Sequence, residues 1–120
     1  LTPNRSMTRN GAKTTLEEFG DMVAWTVDRI GVDAVAIGSG YCPGHPNAIR
    51  TWWRYARWSR ESAPAEQMKL APHEGWPEWM RTPSGIQNIA AELNRRGFSV
   101  QEIDKIMGGN WLRILRETIG

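Results

Sequence analysis

The chain has 120 residues, 40% hydrophobic and 23% charged, with a net charge of +2. That fits one globular domain or a piece of one, and no run reaches the roughly 18 apolar residues of a membrane span. One Cys excludes an internal disulfide and a multi-cysteine zinc site, two His (His45 and His73) leave little for a metal centre built from this chain alone, and 15 basic against 13 acidic residues do not mark a nucleic-acid binder.

Residues 1–13 are polar and carry Pro3, Asn4, Asn10 and Gly11, which reads as a loop. The chain starts at Leu1 without Met, and no charged segment with an apolar core follows, so the start reads as a cut and not as a signal peptide. A lone Cys fits a reducing, cytoplasmic compartment, with a targeting signal ahead of Leu1 left open. Thr15-Leu16-Glu17-Glu18 has the spacing of a capping box and opens a helix over 15–30. Leu16, Phe19, Val23, Val27 and Ile30 recur at helical spacing, and Gly31 ends the segment. Residues 32–39 then give a short apolar run, Val35-Ala36-Ile37, between glycines, which predicts a strand buried on both faces. Helix, Gly turn and buried strand together predict the αβ half of a βαβ unit, hence an α/β fold with neighbouring strands supplied from outside this chain.

Residues 40–81 hold five of the seven Trp and five of the seven Pro, and read as a long loop insertion. Arg50, Arg54, Arg57 and Arg60 share one face if their segment is helical, with Trp52, Trp53, Tyr55 and Trp58 between them. Such a stripe serves as a solvated face over inward aromatics, as a carboxylate-binding lid, or as a single-stranded nucleic-acid surface. The small net charge argues against the last. Tyr41, Cys42 and His45 directly follow the run at 32–39, where parallel α/β folds bind ligands. A Cys and a His three apart could form a nucleophile and base, or a structural thiol beside a loop His.

The rest is helical over 83–119. Thr82 and Pro83 open a helix that Ile86, Ile89, Ala90 and Leu93 bury and Gly97 ends. Ser99-Val100-Gln101-Glu102 is a second capping box. Gly108-Gly109 breaks that helix, Asn110 is placed to cap the next, and Trp111, Leu112, Ile114 and Leu115 form its buried face. Gly108-Gly109-Asn110 lacks the spacing of a phosphate loop and reads as a helix junction.

Three segments resemble the renal (membrane) dipeptidase family. Residues 31–39, GVDAVAIGS, are similar to the family's GVDHVGIGSDFDG; residues 89–99, IAAELNRRGFS, to its LTAELLRRGYS; and residues 102–115, EIDKIMGGNWLRIL, to its EDIRKILGGNFLRVL. The resemblance implies the C-terminal fragment of a (β/α)8 TIM barrel, mostly helical with one buried strand. It implies a zinc metallopeptidase in which metal-activated water attacks the amide of a dipeptide. The family's metal ligands precede this region, so the resemblance implies zinc in the complete protein and none on this chain. Gly40 occupies the position of the family's first Asp in GSDFDG, which handles the substrate amino group, and Cys42 that of the second. Glycine can neither hold an ammonium nor relay a proton.

The expectation is therefore a dipeptidase-like C-terminal fragment, inactive alone and completed by the missing N-terminal part of the barrel. No residue is assigned a catalytic role, and Tyr41, Cys42, His45, Arg50 and Arg54 are the candidates for binding a small peptide-like substrate. A homo-oligomer stays open. The alternative is a non-catalytic relative that binds a ligand or partner through the Trp/Arg-rich loop.

Overall fold

A computed structural model describes residues 1–5, 7–40 and 76–120 of the chain. Among them run α1 (Leu16–Ile30), α2 (Gln87–Arg95), α3 (Val100–Asp104) and α4 (Asn110–Ile119). Short 3-10 turns lie at Gly11–Lys13, Val32–Ala34, Glu78–Met80 and Pro83–Ile86, and a wide π-type turn, Lys105–Gly109, joins α3 to α4.

Local chemistry starts α1. The Thr15 hydroxyl accepts from the Glu18 amide at 3.1 Å, and the Glu18 carboxylate accepts from the Thr15 amide at 2.9 Å. Two otherwise orphaned N–H groups are thereby satisfied. At the far end the Gly31 amide donates to the Val27 carbonyl at 2.8 Å. Ser99 and Glu102 repeat the reciprocal pair at the start of α3. Thr82 does not cap a helix. Its hydroxyl pairs with that of Ser84, and Pro83 opens a 3-10 turn before α2 begins at Gln87.

The core forms where the apolar faces of α1 and α2 meet. Phe19 and Val23 pack with Ile89, Leu93 and Ile106, together with Val35 and Ile37, and all are buried. Burying each large side chain contributes roughly 1.5–3 kcal/mol. The helices approach closely at Gly20, where a Cβ would lie 2.5 Å from Arg96 Nε and 2.9 Å from Glu92 Cγ. The Phe19 ring meets Trp79 at 5.6 Å, and the Trp79 indole donates to the Thr14 carbonyl at 3.0 Å, which fixes the 76–80 turn onto the start of α1.

The expected α/β fragment of a TIM barrel is corrected by this structure: the described residues contain no strand and no sheet. Val32–Ala34 is a 3-10 turn, and residues 35–40 leave it without regular secondary structure, Val35 being extended at φ −108°, ψ 128°. Val35 and Ile37 are buried as the apolar run requires. The ladder is what fails to form. The carbonyls of Val35 and Ile37 accept from the side chains of Asn110 (2.7 Å) and Trp111 (3.0 Å), and the Ile37 amide donates to the Ile106 carbonyl at 2.9 Å. On the opposite edge Leu1 pairs, its ammonium donating to Ala36 O at 2.6 Å and its carbonyl accepting from Gly38 N–H at 2.8 Å. An apolar run between glycines sets burial and extension, whereas a strand needs a second backbone, and the start of α4 stands in its place.

Asn110 is likewise not a helix cap. It is the first residue of α4, is buried, and its amide nitrogen reaches the carbonyls of Val32 (2.8 Å) and Val35.

Candidate functional site

The five binding candidates, Tyr41, Cys42, His45, Arg50 and Arg54, lie outside the described residues. The described structure does hold the rim that carries them. Residue 40 and residue 76 flank the segment and lie close together, because a Cβ on Gly40 would sit 3.7 Å from the Trp76 ring and 3.8 Å from the Thr2 hydroxyl. Thr2 donates from that hydroxyl to the Ser39 carbonyl at 3.2 Å. Gly40 and Trp76, the described residues on either side of 41–75, thus meet at the end of the buried run held by Asn110 and Trp111.

Gly40 itself sits at φ +60°, the left-handed region where a side chain costs roughly 1–2 kcal/mol, least for Asp or Asn. Space is not the obstacle, since both neighbours lie at ordinary contact distance. A Cβ at residue 40 would meet a modest backbone penalty and only ordinary contacts with Trp76 and Thr2.

The strongest charge cluster was not visible in the sequence. Glu92, 5% exposed, accepts two bonds from Arg95 (2.8 and 2.7 Å) and one from Arg96 Nε (2.7 Å). Arg96 also binds Asp21 Oδ1 at 2.6 Å and the Glu17 carbonyl at 2.7 Å. The Arg95 guanidinium, aided by Arg96, holds the Glu92 carboxyl at about 2 against the opposing effect of burial. A carboxylate so far below neutrality and so fully engaged is a poor general acid or base. The cluster ties the end of α2 to the first half of α1. The bonds from Arg96 to α1 join residues 75 or more apart, so no local spacing announces the tie between the helices.

A surface groove of about 650 Å³ also escaped the sequence reading. Asn10, Glu18, Phe19, Met22 and Trp25 help to line it, and Asn10 donates to Glu18 at 2.5 Å across one wall. It lies along α1 and has no residue in common with the Gly40 rim. Among the described residues no three His, Cys, Asp or Glu converge as a metal site would require. No described helix is long and apolar enough to cross a membrane.

No family model matches the chain, and no curated protein matches it. Among solved structures it is similar to the crystal structure of an amidohydrolase from Pseudomonas aeruginosa, at 24% identity and a TM-score of 0.76. That likeness covers 96% of this chain and 34% of the other. The chain therefore shares the fold of the matched part of that structure and spans about a third of its length.

Proposed function

We propose that this chain is the C-terminal part of a metal-dependent hydrolase of the dipeptidase type, acting on dipeptides or related small amides when complete and inactive alone. The observation that carries the reading is a spatial one. Two of the segments that resemble renal dipeptidases lie 75 residues apart in the chain and are hydrogen-bonded in the structure, Asn110 to Val32 and Val35, and Trp111 to Ile37. The likeness to an amidohydrolase over nearly the whole chain supports the same reading. The zinc of the family would be held by residues ahead of this region, as the resemblance implies; among the described residues no three His, Cys, Asp or Glu converge. No reaction step is assigned to it. The part this chain would play is to present the 41–54 segment from a rim fixed by α4.

A second reading, a ligand-binding relative without catalysis, is favoured by Gly40. The residue that would hold a substrate ammonium is absent there, and losing such a charge-assisted bond costs roughly 1.5–3 kcal/mol, about ten- to a hundredfold in rate. The test is expression of the full-length protein with zinc and assay of L-dipeptide hydrolysis, beside Gly40→Asp. The proposed activity predicts weak turnover that Gly40→Asp raises at least tenfold. Saturable dipeptide binding with no turnover in either protein supports the second reading. Efficient wild-type turnover unchanged by Gly40→Asp overturns the role given to residue 40.

A further inference from the structure

Asn10 is followed by Gly11, whereas Asn4, Asn47, Asn88, Asn94 and Asn110 all precede a residue with a side chain. The side-chain amide of an asparagine is open to attack by the next main-chain nitrogen, and a side chain on that next residue obstructs the approach. Glycine removes the obstruction. Asn10 is exposed, and its side chain makes no hydrogen bond to the 3-10 turn it precedes, Gly11–Lys13. That turn buries no residue, and the Gly11 nitrogen donates to the Thr8 carbonyl over a long 3.2 Å. A short exposed turn of this kind opens at little cost. Asn88, Asn94 and Asn110 instead lie in α2 and α4, where helical geometry holds the main chain.

The contacts of residue 10 make such a reaction consequential. Its amide donates to Glu18 Oε1 at 2.5 Å, and the same carboxylate accepts from the Thr15 amide in the box that starts α1. Its carbonyl accepts from the Lys13 amide at 3.1 Å.

We propose that Asn10-Gly11 is a self-modification site, at which deamidation releases the start of α1. The Gly11 nitrogen bonds to the Asn10 Cγ as it gives up its proton. The Cγ–Nδ2 bond breaks, and the side-chain nitrogen takes up that proton and leaves as ammonia. Water then opens the cyclic imide. Cleavage at Cγ gives aspartate. Cleavage at the main-chain carbonyl gives isoaspartate, with an added CH2 in the main chain and a free carboxylate where the Lys13 amide had its acceptor. Either product sets a carboxylate against Glu18 in place of a donor. Like charges so close repel, and the Glu18 side chain leaves its place in the cap. The new charge also enters the wall of the groove along α1, beside Asp21. The inference rests on residues 8–18 and not on hydrolysis, so an inactive full-length protein leaves it intact.

The test incubates the full-length protein at neutral pH, maps isoaspartate in its peptides by enzymatic methyl labelling, and follows hydrogen exchange. Isoaspartate is expected at residue 10 at least tenfold faster than at Asn88 or Asn94. The amides of Glu18 and Phe19 are expected to exchange at least tenfold faster in the modified protein. Asn10→Asp should show the fast exchange at once, and adding Glu18→Gln, which keeps an uncharged acceptor for the Thr15 amide, should reverse it. Asn10→Gln should stay unmodified and protected. Isoaspartate absent from residue 10, or formed there no faster than at Asn88, overturns the proposal, as does a modified protein in which exchange of Glu18 and Phe19 is unchanged.

Discussion

Helices α1 and α4 are both amphipathic, yet they end in opposite environments. The apolar residues of α1 find α2: Phe19 and Val23 are fully buried against Ile89 and Leu93. Among the described residues, those of α4 find only the edge of the 35–37 run. Its polar contacts are made, through Asn110 and Trp111, while its apolar stripe stays exposed. An amphipathic pattern states that a helix needs a partner and is silent on whether the partner lies in the same chain.

Phe19→Ala gives the largest effect in residues 1–120, about 3–5 kcal/mol, because it opens a cavity where the two covered helices meet. Urea unfolding measures it, and a loss below about 1 kcal/mol would mean that the α1–α2 contact is not the core. Glu92→Gln follows, at about 2 kcal/mol, through weakened bonds to Arg95 and Arg96. The sign of its pH dependence is set by the lowered carboxyl. Folding holds Glu92 at about 2 against an ordinary 4.5, so its stabilisation is complete above about pH 4.5 and is lost as pH falls towards 2. The variant should show a shallower loss of stability across that window in unfolding midpoints at pH 7, 4 and 3. Some slope will remain, because Asp33 beside Lys105 and Glu102 bonded to the Ser99 amide are also held below the usual carboxylate range.

Asn110→Ala probes the polar half of the α4 contact. It strips donors from two carbonyls, Val32 and Val35, and is expected to cost about 1–2 kcal/mol. Ile119→Ser should change the stability of residues 1–120 by less than about 0.5 kcal/mol, since that side chain is 80% exposed. A loss above 1 kcal/mol would break the contrast by showing that α4 is already covered.

Much of this could be read residue by residue. The capping boxes at Thr15 and Ser99 are short-range geometry, and both form. The period that picks out Phe19, Val23, Ile89 and Leu93 also picks out the core. Reading failed where a residue's partner is remote. Asn110 has the chemistry of a cap, but two carbonyls 75 and 78 residues away take its amide. Trp111, Leu112, Ile114 and Leu115 have the pattern of a buried face and remain exposed. At the candidate site, Gly40 could be singled out by its place in a motif. Its left-handed backbone and the nearness of Trp76 and Thr2 emerge only when the chain is folded.

The sequence by itself determined where helices start and stop and which of their faces are apolar, because caps, glycines and 3.6-residue spacing act within a turn or two of the backbone. Tertiary structure alone decided that the run at residues 35–37 is sealed by α4 and not by a neighbouring strand. It alone decided that Glu92 and Arg96 clamp α2 to α1. Those outcomes depend on which donors reach which acceptors across the fold, and an extended backbone accepts a side-chain amide as readily as another strand.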